Sequence, residues 1–319
     1  MRSTSQQQQR GAALLTAMII VTLVAALAAA MAWHQQRAIQ VEASERARSQ
    51  SRWMLLGALD WARLILREDA VSDTMHTAWD HLGEPWAVPL AEARLSTFLA
   101  GENVSADDGP AAFLSGLIED AQARYNLRNL INADKEHLPI EQRSLGRLCD
   151  LVGAPGGTAD LIARQLRAAY ANDPAADAPV RIGAASELSW LGLPPAVVTK
   201  LQPFVTLLPT STPVNLNTAP REVIAAVLDG VDLASAERLT QARRFAPLPT
   251  PQDASKYVPA DVQISADRVS VKSDYFFVTG RLRLDEHVLS QRSLLRRRTF
   301  NIAVIDTQTV AADAQGLSP

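Results

Sequence analysis

Twenty-three consecutive residues, Gly11 to Trp33, carry no charge, and no other feature of the chain narrows its architecture as much. As a helix, the 22 residues from Ala12 to Trp33 measure about 33 Å at ~1.5 Å per residue, enough to cross the ~30 Å hydrocarbon core of a bilayer. A secretory signal has an apolar region of only ~7–15 residues, so this run is too long for one, although Ala30-Met31-Ala32 offers an A-x-A pattern that a signal peptidase accepts. Leu14, Leu15, Thr16, Ile19, Ile20, Leu23 and Leu27 fall on the expected membrane helix. The tail before it carries Arg2 and Arg10 and no acid. The positive-inside rule therefore keeps the N-terminus in the cytoplasm and sends the rest of the chain outward.

At Arg10-Gly11-Ala12 a short, polar, basic leader meets the apolar helix. A protease needs an extended, open backbone beside its scissile bond, and glycine adopts one at little steric cost. The junction resembles a type IV prepilin leader. That resemblance implies that the prepilin peptidase cuts between Gly11 and Ala12 and that the apolar helix is retained in a bacterial inner membrane as a single-pass anchor. Most pilins and pseudopilins place Phe or Met first and Glu fifth in the mature chain, where this sequence has Ala12 and Thr16. A carboxylate in lipid is costly unless paired, and Thr16 cannot form the ion pair that the family's glutamate is thought to make with a neighbouring subunit. The K-type minor pseudopilins of type II secretion systems lack this glutamate and are unusually large, as is this chain of 319 residues.

Beyond Trp33 the helical pattern continues to about Arg67, with no proline and only Gly57 as glycine. Met54, Ala58, Trp61 and Ile65 recur at helical spacing, after a charged stalk that includes Glu42, Glu45, Arg46 and Arg48. This face is the expected partner-binding surface. The "AWDHLGEPWAVPL" stretch then demands turns or extended chain through Pro85 and Pro89, with its tryptophans in a core. Residues 100–110 form a turn-rich loop.

Two motifs follow. In "IEDAQARYNLRNLI", Asp120, Tyr125, Asn126, Leu127, Asn129 and Leu130 stand as in a segment of the K-type family. Physically, Asn126 and Asn129 close turns through nearby backbone while Leu127 and Leu130 bury. In "PVNLNTAPREVIAAVL", Asn215, Leu216, Asn217, Thr218 and Pro220 precede an apolar helix. Asn217 or Thr218 is its expected cap, with Pro220 in its first turn. With "LASAERLTQARR" it makes a helix pair that resembles helix-hairpin-helix or SAM-like modules. Other helical units are expected at 141–152, 157–170, 186–193 and 194–202. From about residue 263 the period changes to two, giving a strand at "SDYFFVTGRLRL" and further strands to the end. The run Arg296-Arg297-Arg298 reads as a solvated edge.

The fold expected is therefore α+β: a pilin-like long N-terminal helix and antiparallel sheet, with a large all-α insertion. The expected segments are the leader 1–11, the membrane helix 12–33, the first part of the pilin-like domain 34–115, helical domains 116–212 and 213–262, and closing strands 263–319.

No Ser/His/Asp motif, HExxH, dinucleotide fingerprint or phosphate loop is present, so no catalytic residue or cofactor is expected and the chain reads as a non-enzyme. The single cysteine, Cys149, excludes an internal disulfide and reads as a small buried hydrophobe. The five histidines are scattered, and no metal site is assigned. By resemblance structural Ca²⁺ is possible, with Asp107, Asp108, Asp229 and Asp232 as unassigned oxygens. The resemblance implies I-type and J-type minor pseudopilins as partners at a pseudopilus tip, and the prepilin peptidase as processing enzyme. The alternative is a membrane-anchored helix-hairpin-helix DNA-binding protein using Arg243 and Arg244. A net charge of −3 and the acidic hairpin turn with Asp229 and Asp232 speak against nucleic acid as a ligand.

Overall fold

The computed structural model describes residues 4–75, 79–95, 112–173, 175–284 and 287–310, with side chains in the first helix described from 13 to 72. The chain divides into two compact units, residues 1–54 and 55–319.

Helix α1 spans Thr4–Met75. It begins upstream of the expected start at Ala12 and runs past the expected end near Arg67, because nothing between Glu68 and Met75 breaks a helix. The portion from Ala13 onward is long and apolar enough to cross a membrane, and its apolar window buries nothing within the protein. Leu14, Leu15, Ile19, Ile20, Leu23 and Leu27 are all exposed. The Thr16 hydroxyl donates to the carbonyl of Ala13 at 2.9 Å, so its polar group is satisfied within its own helix. Gly11 and Ala12 lie within α1, but their side chains fall outside the described residues, as do the 100–110 loop, His76, Asp107 and Asp108.

In the second unit, a 3-10 turn at Pro85–Ala87 precedes β1 (Leu90–Arg94) and β2 (Ala112–Asp120). After a 3-10 turn at Ala121–Ala123 come β3 (Tyr125–Asn126), α2 (Arg128–Asn132), α3 (Leu138–Leu151) and α4 (Thr158–Ala169). A 3-10 helix at Ala185–Leu191 stands where an α-helix was expected. It is followed by α5 (Pro195–Leu201), β4 (Val205–Thr206), β5 (Val214–Asn215), α6 (Arg221–Val227) and α7 (Leu233–Arg243). The chain then gives β6 (Val269–Ser270), β7 (Tyr275–Leu284), β8 (His287–Arg298) and β9 (Asn301–Val310).

The main sheet has the order β1-β2-β7-β8-β9, antiparallel throughout. Strands β2 and β7 are neighbours, with Asp120 opposite Phe276, so the helical segment leaves and re-enters the sheet between adjacent strands. The two-residue parallel ladders β3–β4 and β5–β6 tie that segment together. The long N-terminal helix, the antiparallel sheet and the mixed content make the chain α+β, as expected.

Among the described residues two apolar cores are the largest. One packs Ala62 and Leu66 of α1 on Trp86, Ile118, Phe276, Val278, Leu295 and Ile302. The other fills the helical segment, with Leu127, Leu130, Leu145, Ile162, Leu166, Val223, Ile224 and Leu239 among its members. Burying side chains of this size contributes roughly 1.5–3 kcal/mol each. Cys149 sits in the second core at 3 % exposure, and burial pushes its thiol up to about 12, so it is a small hydrophobe, as read from the sequence.

One expectation fails outright. Arg297 is not part of a solvated edge. Strand β8 is interior to the sheet, and Arg297 is 8 % exposed.

Candidate functional site

The apolar stripe of α1 in the second unit has two halves. Leu55, Ala62, Leu66 and Ala70 are buried against the sheet, as their spacing of seven, four and four residues places them on one helical face. The sheet accommodates the helix where Gly280 lies, since a Cβ there would come within 3.1 Å of Leu55 Cδ2. Beside that buried half, Ala58 and Ile65 are half-buried and Trp61 remains 46 % exposed. These three line an apolar groove of about 260 Å³, whose other wall is formed by Pro85, Val88, Pro89 and Leu114. Met54, the fourth residue of the expected docking face, belongs to the first unit.

A buried polar junction fixes the residues between which the helical segment is inserted. Asp120 ends β2 and is 3 % exposed. Its Oδ1 accepts the Gln122 amide at 2.7 Å. Its Oδ2 accepts Asn215 Nδ2 at 2.9 Å, Thr218 Oγ1 at 2.5 Å and Ser273 Oγ at 2.6 Å. Asn215 Nδ2 also reaches the Asp80 carbonyl, and Asp80 Oδ2 accepts the Ser273 amide at 2.7 Å. Arg297 closes the network: it donates to Asp69 Oδ2 at 2.7 Å, to Asp80 Oδ1 and to the Ser273 carbonyl at 2.9 Å. Close by, Glu84 Oε2 accepts Trp86 Nε1 at 2.6 Å and the His81 amide at 2.9 Å.

Burial dominates the electrostatics. It pushes Asp120 and Asp69 up to about 6 and Glu84 up to about 7, against the donors and the guanidinium that favour the charged forms. Asp80 is raised for the same reason. The folded state therefore holds protons more tightly than the unfolded chain. This contribution to stability is complete below the ordinary carboxylate range and is lost as pH rises through about 6 to 7. The melting temperature of the second unit is expected to rise on going from about pH 7.5 to about pH 5.5, and Glu84→Gln should flatten the upper part of that rise. A melting temperature that falls over this interval would contradict the assignment.

The remaining motif residues act as clamps. Asn126 Oδ1 accepts the Arg128 and Leu208 amides, and its Nδ2 donates to the Thr210 carbonyl and Thr212 Oγ1. Asn129 exchanges a pair of bonds with the backbone of Thr212, 83 residues on. So Asn126 closes a turn as expected, while Asn129 joins distant chain. Tyr125 donates to Glu141 Oε2 at 2.7 Å. Leu127, Leu130 and Leu216 are fully buried.

Neither Asn217 nor Thr218 caps α6. Thr218 is drawn to Asp120, Asn217 holds both backbone groups of Leu248, and Pro220 occupies the cap position rather than the first turn. Arg243, 9 % exposed, donates to the Leu216 carbonyl. It is an internal strut rather than a phosphate contact, and the DNA-binding alternative has no support.

Among the described residues, Asp69, Asp80 and Glu84 bring three carboxylate oxygens within 4.8 Å of one another. Arg297 already pairs with two of them. Of the calcium candidates, Asp229 pairs with Arg147 at 2.6 Å and Asp232 caps α7 through the Ser235 amide.

Two family models, both described as type II secretion system protein K, match residues 123–210 and 214–272. The type II secretion system protein K of Pseudomonas aeruginosa is 31 % identical over 238 residues, covering 68 % of this chain and 67 % of its own length. A chain in the crystal structure of the GspK–GspI–GspJ complex from enterotoxigenic Escherichia coli superposes with a TM-score of 0.65 at 22 % identity, over 84 % of this chain and 99 % of its own.

Proposed function

Since the chain belongs to the type II secretion system protein K family, we propose that it works as the K-type minor pseudopilin at the tip of a pseudopilus. There it helps initiate and cap the fibre for protein export across the outer membrane. The observation that carries this reading is the 31 % identity to a protein K across 238 residues, joined to an N-terminal helix apolar enough to cross a membrane. The prepilin peptidase cuts between Gly11 and Ala12. The apolar helix then stays in the inner membrane, N-terminus cytoplasmic, and the second unit lies in the periplasm. A chain whose bulk is an insertion between β2 and β7 crowns a fibre more easily than it repeats along a packed shaft. Thr16 in place of the usual glutamate agrees, because a tip subunit has no subunit above it whose amine it must capture. The helical segment is read as two SAM-like domains, 116–212 and 213–262, although residues 116–120 of the first belong to β2 of the main sheet.

The partners in this reading are the I-type and J-type minor pseudopilins, and the docking face is the exposed side of α1 at Ala58, Trp61 and Ile65; Met54, in the first unit, is proposed separately as a partner contact. Trp61 is the anchor, since a half-exposed tryptophan beside an apolar groove is the type of residue that dominates binding energy. Full-length chain in detergent, mixed with the I-type and J-type pseudopilins of the same bacterium, is expected to elute as one ternary complex. Trp61→Asp should weaken assembly at least about tenfold, ~1.4 kcal/mol. Separate elution of all three proteins would overturn the reading.

A further inference from the structure

The face of the sheet opposite α1 carries a second, chemically different cleft. It has a volume of about 680 Å³ and lies between strands β7–β9 and the helical segment. Its floor is built from cross-strand rows. Thr279, Arg292 and Gln308 stand in register across β7, β8 and β9, and so do Arg281, Ser290 and Val310. Since alternate residues of a strand share a face, this floor presents the polar set of β7, while Phe276, Val278 and Leu282 go to the α1 side.

Four arginines line the cleft: Arg124, Arg128, Arg281 and Arg292. Among the described residues, the one lining carboxylate is Asp306. Glu119, opposite Phe277 on this same face of the sheet, is shared by Arg124 at 2.6 Å and Arg292 at 3.3 Å, so one acid serves two guanidinium groups. Arg128 is spent on the Leu208 carbonyl and on the face of Tyr170, 4.4 Å away, neither of which neutralises its charge. Arg281 has no side-chain bond among the described residues. In a chain of net charge −3, this cleft is a local cationic surface.

Hydrogen-bonding capacity is also unmet there. Thr206 Oγ1, Thr279 Oγ1 and Arg292 Nε are buried on lining residues and have no partner among the described residues. Buried polar groups are ordinarily satisfied. One wall is β9, the end strand of the sheet, and the Phe277 ring lies 4.1 Å beneath the Arg292 guanidinium, holding it in place over the floor.

We propose that this cleft binds an extended acidic peptide segment of a partner protein. Its carboxylates would meet Arg281 and Arg292, and its backbone would lie along the floor. The length and the row of donors suit a chain of several residues rather than a single small anion. This surface is separate from the α1 face and does not depend on the tip reading.

The test uses the full chain in detergent and a fluorescein-labelled Asp-Val-Asp-Thr-Asp-Val peptide, followed by fluorescence anisotropy. Saturable binding is expected, weakened at least about tenfold by Arg281→Glu and to a smaller degree by Arg281→Gln, which removes the charge without repulsion. A matched Lys-Val-Lys-Thr-Lys-Val peptide should not bind. Near-ultraviolet circular dichroism on each variant keeps a folding defect distinct from a lost contact. Three results would each overturn the proposal: no binding of the acidic peptide by the parent chain, equal binding by Arg281→Glu, or full displacement by millimolar inorganic phosphate at matched ionic strength.

Discussion

Asp120→Ala is expected to destabilise the second unit by about 3–5 kcal/mol, read as a lower urea midpoint at an unchanged slope. The reason is the number of donors that one carboxylate satisfies. With Asp120 gone, the Gln122 amide, Asn215 Nδ2, Thr218 Oγ1 and Ser273 Oγ all lose an acceptor in a site shut off from water. A stranded buried donor costs about 1–3 kcal/mol. The total falls short of four such costs because local substitutes exist. Asn215 Nδ2 keeps Ser273 Oγ and the Asp80 carbonyl, and the Thr218 hydroxyl can turn to the Asn215 carbonyl, already 3.4 Å away. Asp120→Asn should also be costly, because one side-chain oxygen becomes a donor facing other donors. A loss below about 1 kcal/mol for the alanine variant would mean that the junction is not what holds the helical segment to the sheet.

That junction also marks where sequence reasoning stops. Periodic features were legible: the helical spacing that buries Leu145, Ile162, Leu166, Val223 and Ile224, and the alternation of β7, which sends Phe276, Val278 and Leu282 inward. These follow from local geometry, which repeats along the chain. Partnerships across long separations were not legible. Arg297 belongs to a run of three arginines and reads as an edge, yet its acids Asp69 and Asp80 lie 228 and 217 residues away. Thr218 has a capping residue's position and chemistry, yet its hydroxyl is claimed by an aspartate 98 residues earlier. In both cases a buried carboxylate outcompetes the local role, because an unpaired buried charge costs more than an unmade cap.

The proposed docking face was half legible. Ala58, Trp61 and Ile65 were named from spacing, but the same spacing could not say that Leu55, Ala62 and Leu66 take the buried side. That division is decided by which part of the stripe the sheet covers. The arginine-lined cleft left no sequence signal, since Arg281 and Arg292 converge only through strand register and Arg124 meets Arg292 only through the shared Glu119.

Gly11→Trp is expected to leave the chain as an uncut, membrane-held precursor and to abolish its incorporation into a pseudopilus. Helix α1 begins at Thr4 and runs through Gly11, so a peptidase acting there must first open the backbone. Glycine makes that opening easier, being about 1 kcal/mol less favourable than alanine inside a helix. It also places no side chain against the enzyme. Tryptophan removes both advantages at once. Normal processing of Gly11→Trp would show that the bond after residue 11 is not the one cut.

The first residue of the mature protein tests the central reading most directly. Mass spectrometry of the chain purified from membranes of the bacterium that makes it should find an N-terminal peptide beginning at Ala12, with the apolar helix intact. A mature chain beginning at Trp33, cut after Ala30-Met31-Ala32, would contradict it.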